Sequence, residues 1–417
     1  MAETTSNHPK NRVVITGGGT VSSLGNSWTE VAESLRSCKN SVCYMQQWQQ
    51  YTQLNTRLAA PILDFELPQD FSPKQKRSMG RVAQLAVVAT EKALVDSGLS
   101  NKDILKNGRT GVAYGSATGN SDAAIEFFGL LEHQSMDRIN STTYLRMMSH
   151  SAAVNISIRF GTQGRMYTTN SACTAGSQAI GYAYEAIKNG QQDVMIAGGA
   201  EELCPTHAAV FDTIYAASTC NDTPKCTPKP FDATRDGLVL GEGACTLIIE
   251  SLDHAQSRGA NIIAEIIGYA TNTDGNHIVR PSKPTMIKVM ESCLHDADIA
   301  SNDVGYVSAH ATATDQGDIL ESEATNEVFG SDIAISSLKS YTGHTLGACG
   351  SFEAWASIMM MNEGWFAPTL NLSEVDPKCA QLDYITKDFR KLNTSIIMSN
   401  NFAFGGINTS LLFKNID

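Results

Sequence analysis

The chain carries ten cysteines in 417 residues, yet no two of them form a C-x-x-C pair. Without such pairs or a regular spacing, neither a zinc cage nor a disulfide framework is encoded, and free thiols in a reducing compartment are expected. Long apolar runs are missing as well. None is long enough to cross a bilayer, and the start, residues 1–11, is polar. A cytoplasmic protein without a membrane span is the expectation. Positive charge is scarce: 31 Lys and Arg face 43 Asp and Glu, a net charge of −12. That balance disfavours nucleic acid and anionic membranes as partners. The glycine-rich stretch Gly17-Gly18-Gly19-Thr20 lacks the third glycine of a dinucleotide fingerprint, and no acidic residue follows about twenty positions on. This argues against a nicotinamide enzyme.

What the chain does have is a globular balance, 42% hydrophobic and 18% charged, with enough length for two domains or one duplicated core. Residues 12–16 read as a buried strand closed by the glycine turn. A helix over 28–36 and a Gln-rich surface loop over 44–55 follow. Val82, Leu85, Ala86, Ala89 and Leu94 recur at helical spacing and predict a helix over 78–98 with a glycine stop. Residues 110–116 read as the next strand, 156–160 continue toward the stretch described below, and 193–199 read as the strand beyond it. Near Ser251 the pattern restarts. Strands are expected at 264–269, 304–308, 333–337, 395–399 and 408–413, and helices at 284–298, 318–328 and 348–361. Strands alternating with helices in two similar βαβ halves predict an α/β layered fold. Residues 271–284 look like a long loop over the junction of the halves.

The stretch from Thr168 to Gly190 contains Asn170-Ser-Ala-Cys-Thr-Ala-Gly-Ser-Gln178. A polar turn ends at Cys173 and a small-residue helix starts there, with Ile180, Tyr184 and Ile187 on one face. A thiol at a helix N-terminus faces unpaired N–H groups and the positive end of the macrodipole, both of which favour thiolate. The residues alone leave two readings open, a nucleophile and a buried structural cysteine. Cys204, Cys245 and Cys349 sit in apolar or small-residue runs and are expected in the core.

Three later motifs bear on that choice: Ser308-Ala-His-Ala-Thr-Ala-Thr314, Lys339-Ser-Tyr-Thr-Gly-His-Thr-Leu-Gly-Ala348 and Asn400-Asn-Phe-Ala-Phe-Gly-Gly-Ile-Asn408. A Cys, two His and a Phe-Gly-Gly-Ile-Asn turn, in that order, resemble the β-ketoacyl-acyl-carrier-protein synthases of the elongating type, including type II polyketide and aryl polyene ketosynthases. The likeness spans essentially the whole chain. It implies a thiolase-like five-layer αβαβα fold of two similar halves, residues 1–255 with the nucleophile and 256–417 with both histidines. It also implies decarboxylative Claisen condensation of an acyl thioester with a malonyl thioester through an acyl-Cys173 intermediate, with no bound cofactor. The 4′-phosphopantetheine arm would arrive on an acyl carrier protein. A non-catalytic chain-length-factor-like subunit and a biosynthetic thiolase are the alternatives; Cys173 with two histidines argues against both.

By the same resemblance His310 and His344 would hold the malonyl thioester carbonyl. Lys339 and Glu353 would form the charged pair beside them, and the lysine would keep both histidines neutral. The N–H groups of Cys173 and Phe404 would form the oxyanion hole, with Phe404 also the gate and Phe402 beside it. Thr312, Thr314, Asp274 and His277 would receive the pantetheine arm. Ser308, Glu353, Ser399 and Asn400 would form a monovalent-cation site. Lys74, Lys76, Arg77 and Arg81, the densest basic run, would dock the acidic carrier. Thr118 and Thr143 stand where relatives carry bulky residues in the acyl tunnel, which implies a longer or more polar substrate. The family implies either a homodimer or a heterodimer with a related subunit. Departures from the usual pattern fall at Ala311, Val279, Ala403 and Ser308.

Overall fold

The computed structural model describes residues 11–100 and 103–416; the ends of the two expected halves, residues 1–10 with His8 and residue 417, lie outside it. Ten strands carry the architecture: β1 Val13–Ser22, β2 Thr110–Gly115, β3 Met166–Thr169, β4 Val194–Glu201, β5 Gly243–Ser251, β6 Ala264–Thr273, β7 Tyr306–Ser308, β8 Ala334–Ser336, β9 Ile396–Ala403 and β10 Ile407–Lys414. The first five lie in the order β3-β2-β4-β5-β1 and the last five in the order β8-β7-β9-β10-β6. In each half the first two of these pairings are parallel and the last two antiparallel. The same order with the same directions is a duplicated fold. Antiparallel pairing of β1 with β6 joins the halves, and the short strand Asp383–Tyr384 extends the edge beyond β8.

The helices that matter here are α1 Trp28–Arg36, α2 Pro73–Ser78, α3 Arg81–Asp96, α4 Ala175–Lys188, α5 Lys283–Ala297, α6 Asp315–Phe329 and α7 Cys349–Glu363. α4 and α7 pack on each other and on strands of both halves; α3 with helix Ser151–Phe160 covers one outer face, and α5 backed by α6 covers the other. The result is five layers, αβαβα, the thiolase-like arrangement. Strands buried on both faces need continuous apolar or small residues rather than alternation. β4, Val-Met-Ile-Ala-Gly-Gly-Ala-Glu, is buried at every position.

The crossing of α4 and α7 depends on two glycines. A Cβ at Gly176 would lie 2.9 Å from the Ser351 nitrogen, and one at Gly350 would lie 2.7 Å from the Ser177 nitrogen. Any side chain there would push the central layer apart.

Local expectations differ from the structure in four places. The glycine run does not close the first strand: β1 continues to Ser22 with an irregularity between Ile15 and Gly17. Its glycines admit neighbours instead. A Cβ at Gly18 would lie 2.4 Å from Trp355 and one at Gly19 2.3 Å from the Ala89 carbonyl. Residues 156–160 form the end of helix Ser151–Phe160, and β3 is the strand that leads to Cys173. The expected loop over 44–55 holds a 3-10 helix, Gln46–Gln50, with Trp48 buried. Residues 271–273 of the expected junction loop belong to β6.

Candidate active site

Cys173 sits in a 3-10 turn, Ala172–Thr174, between the end of β3 and the start of α4. Ala172 adopts φ = +50°, a left-handed conformation that turns the chain sharply into the helix. The sulfur is buried, and His344 Nε2 lies 2.9 Å from it. The His310 ring stands edge-on to His344, centroids 5.3 Å apart. β9 brings Phe402 to 6.2 Å from the His310 ring. The thiol and the two imidazoles form the buried floor of a cavity of about 450 Å³ that Phe402, Phe404, Thr312, Thr314 and Asp274 also line.

The electrostatics of this floor run against the thiolate expectation. Burial pushes the Cys173 thiol up to about 12; Lys339 and the N–H groups of Phe404 and Cys173 pull it down only partly. A helix terminus is worth less here than desolvation. The cysteine rests as a thiol that needs a base, and His344 is in contact with it. Both histidines are held neutral. Burial lowers them first, the buried Lys339 ammonium lowers them further, and His344 adds to the effect on His310.

Lys339, at the start of the short helix Lys339–Thr342, is fully buried and ion-paired with Glu353 of α7. Burial raises the Glu353 carboxyl while Lys339 counters it. Asn401 donates to the other Glu353 oxygen at 2.8 Å and lies 3.4 Å from His310 Nδ1. Glu321 of α6 accepts the backbone N–H groups of His310 and Ala311, each at 2.7 Å, and so fixes the histidine loop.

Sequence reasoning did not single out Asn401, Glu321 or Glu201. Asn401 was visible inside the Asn400–Asn408 motif. Strand alternation puts its side chain on the face opposite Asn400. Glu321 and Glu201 carry no motif of their own; their role is to accept backbone donors, which spacing does not reveal. Glu201 gathers Ala117 N at 2.6 Å, Ser116 Oγ at 3.0 Å, Thr118 Oγ1 at 3.1 Å and Gly347 N at 3.2 Å. It thereby ties the loop after β2 to the turn that follows His344.

Several expected site residues lie elsewhere. Thr118 is exposed and outside the cavity lining, with its hydroxyl also 2.9 Å from His207 Nε2. Thr143 is the N3 residue of a capping box on helix Ser141–Met147, also outside the lining. His277 is exposed, and its Nδ1 accepts the N–H groups of Val279 and Arg280 at 3.1 and 3.2 Å. Asp274 does line the cavity, accepting from Asn408 at 2.7 Å, and Thr312 and Thr314 share a hydroxyl contact of 3.0 Å.

Lys74, Lys76 and Arg77 are exposed on α2. Arg81, by contrast, is committed: its guanidinium bonds both Glu242 oxygens at 2.7 and 2.8 Å. The four cation-site side chains do not converge. Ser308 and Ser399 are register neighbours with buried, unpartnered hydroxyls. Both Glu353 oxygens are occupied, and the Asn400 amide turns to Met290 and Ser410 on the other face. As side-chain ligands these residues do not fit a cation.

A thiol, two neutral imidazoles and two inward N–H groups on the floor of a layered αβαβα fold define an acyltransferase of the thiolase-like class. Residues 10–255 match the β-ketoacyl synthase N-terminal domain and residues 263–373 its C-terminal domain. The chain belongs to the β-ketoacyl synthase family and is an elongating ketosynthase. It is similar to 3-oxoacyl-(acyl-carrier-protein) synthase 1 of Escherichia coli strain K12, 35% identical over 97% of this chain and 99% of that protein. A crystal structure of a β-ketoacyl synthase from Burkholderia phymatum STM815 is 52% identical with a TM-score of 0.96, covering 98% of this chain and 100% of that one. A type II polyketide ketosynthase, bound to the hexaketide and solved with its acyl-carrier protein, is 29% identical with a TM-score of 0.87, covering 98% of this chain and 100% of that one.

Proposed function

We propose that the chain condenses an acyl group held on Cys173 with a malonyl thioester, both delivered on an acyl carrier protein. The observation that carries this is the 2.9 Å approach of His344 Nε2 to the buried Cys173 sulfur at the floor of a cavity that opens on one side. His344 takes the thiol proton as sulfur attacks the incoming thioester carbonyl, and the departing pantetheine thiol carries a proton away. The tetrahedral oxygen is held by the N–H groups of Cys173 and Phe404. A malonyl thioester then loses CO₂. With His344 exchanged through cavity water to the tautomer that carries its proton on Nε2, His310 and His344, neutral beside Lys339, donate to the enolate oxygen without protonating the carbanion. That carbanion attacks the acyl carbonyl, and collapse frees Cys173.

The arm passes Thr312, Thr314 and Asp274, so no bound cofactor is needed. Lys74, Lys76 and Arg77 on α2 offer charge complementary to an acidic carrier. The chain works as a dimer, with itself or a related subunit. β3 is the sheet edge, and helices Ser121–His133 and Ser141–Met147, which pack on each other, leave Ile125, Phe128, Leu131 and Tyr144 exposed. Thr118, which is exposed, then belongs to an acyl passage completed across that interface, whereas Thr143 is buried within the protomer. The polarity of Thr118 favours a polyketide or polyene chain over a saturated one. Ten free cysteines fit a cytoplasmic setting, and no helix among the described residues is long and apolar enough to cross a membrane.

The test is a single incubation with acyl-carrier and malonyl-carrier, followed by mass analysis of the carrier and of released CO₂. A β-ketoacyl-carrier two carbons longer is the expected product. Carrier unchanged, with Cys173 unacylated, would instead fit a non-catalytic partner subunit.

A further inference from the structure

The reaction centre is also a set of metal ligands. Cys173 Sγ and one ring nitrogen from each of His310 and His344 all lie within 4.8 Å of one another. We propose that these three side chains form an inhibitory site for zinc or a similar borderline-soft divalent ion. The ligand set stands on geometry alone; its regulatory meaning rests on the function proposed above.

Zinc takes one thiolate and two imidazoles readily, and a three-ligand site keeps a fourth position for water. With Zn–S of about 2.3 Å and Zn–N of about 2.0–2.1 Å, ligand atoms sit about 3.4–3.6 Å apart in a tetrahedron. The His344–Cys173 distance of 2.9 Å must open slightly to reach that, and the remaining separations, up to 4.8 Å, must close. Neither change exceeds side-chain adjustment. The fourth position faces the cavity, which gives the ion both a path and a water ligand. Coordination converts the Cys173 thiol to thiolate and releases one proton to solvent. The sulfur lone pair and both imidazole nitrogens are then occupied, so neither acyl transfer nor enolate stabilisation can proceed.

Two features make the site reversible rather than structural. Metal-bound histidines ordinarily donate their second ring N–H to an acceptor, and losing that partner costs 10- to 100-fold in affinity. Here His344 Nδ1 is buried with no partner, and His310 Nδ1 faces the Asn401 amide nitrogen, a donor, at 3.4 Å. A second cluster, His310 with Cys349 and Glu353, also lies within 4.8 Å. It is the poorer site. One Glu353 oxygen is already taken by the Lys339 ammonium and the other by Asn401, and neither Cys349 nor Glu353 lines the cavity.

Cobalt(II) titration of the intact protein tests the proposal, because a thiolate ligand gives cobalt a sulfur-to-metal charge-transfer band in the near ultraviolet. One cobalt per chain with that band is expected, displaced by equimolar zinc and removed by EDTA. Cys173→Ala should abolish the band, His344→Ala and His310→Ala should each weaken binding at least tenfold, and Cys349→Ala should leave it unchanged. Magnesium in excess should neither bind nor compete. Zinc should also slow iodoacetamide alkylation of Cys173, read by peptide mass. A band that survives Cys173→Ala, or disappears with Cys349→Ala, would put the metal in the inner cluster and overturn the proposal. So would the absence of any band together with unslowed alkylation. A bound metal on a chain that never forms acyl-Cys173 would sink the function and leave the site standing; acylation without metal binding would do the reverse.

Discussion

The two halves enter their central helices by the same backbone device and put different chemistry on it. In the first, a 3-10 turn at Ala172–Thr174 leads into α4; in the second, a 3-10 turn at Leu346–Ala348 leads into α7. Ala172 and Leu346 occupy the same place and both take left-handed φ values, +50° and +46°. The next residue is Cys173 in one half and Gly347 in the other. A Cβ at Gly347 would lie 2.8 Å from Ala117 N and 2.9 Å from Glu201 Oε2, so a side chain is shut out there. One turn presents a nucleophile. The other closes tightly and positions His344, three residues earlier, over it. The first half supplies the sulfur and the second half the imidazoles and the Lys339–Glu353 pair, so neither half is an enzyme by itself.

If the division of labour is right, the largest effect comes from separating the histidines. His344→Ala should slow acylation of Cys173 and malonyl decarboxylation by roughly 10²-fold or more each, because of the two histidines it is His344 that stands within hydrogen-bond distance of the sulfur. His310→Ala should cost as much in decarboxylation and much less in acylation. Single-turnover acylation and CO₂ release read the two steps; equal acylation loss in both variants would erase the distinction. Next is the charged pair of the second half. Lys339→Met strands the buried Glu353 carboxylate and should destabilise by about 3–5 kcal/mol in denaturant unfolding. The smallest effect compares the two turns. Leu346→Gly relieves a left-handed residue but removes a buried side chain, for a net loss of about 1–3 kcal/mol. Ala172→Gly relieves the same strain with little side chain to lose, and should change stability by less than about 1 kcal/mol in either direction. Similar values for both would deny that Leu346 contributes more buried apolar surface than the half-buried Ala172.

Much of this was legible in the chain itself. The alternation of strands and helices, its restart near Ser251, and the motifs around Cys173, His310 and His344 lead to the layers and to the floor of the cavity. What was hidden depends on neighbours distant in sequence. Gly17 to Gly19 look like a turn and lie in a strand, because Trp355 and the Ala89 carbonyl approach their missing side chains. Arg81 looks like part of a basic docking run and is held by Glu242, 161 positions away. Cys173 looks like a dipole-activated thiolate, and burial reverses the sign of its shift. Proximity to a helix terminus is a local property that sequence can show. Desolvation belongs to the whole packed structure.

The central claim is that Cys173 rests as a buried thiol and becomes a nucleophile only through His344. The direct measurement is the rate of acyl-Cys173 formation, followed by intact mass as a function of pH, in the native chain and in His344→Ala. The account predicts rapid acylation near neutral pH in the native chain. The variant should stay slow until pH approaches the thiol's own elevated range, where hydroxide can replace the base. A variant that acylates at the native rate at neutral pH would contradict it, because the sulfur would then need no histidine.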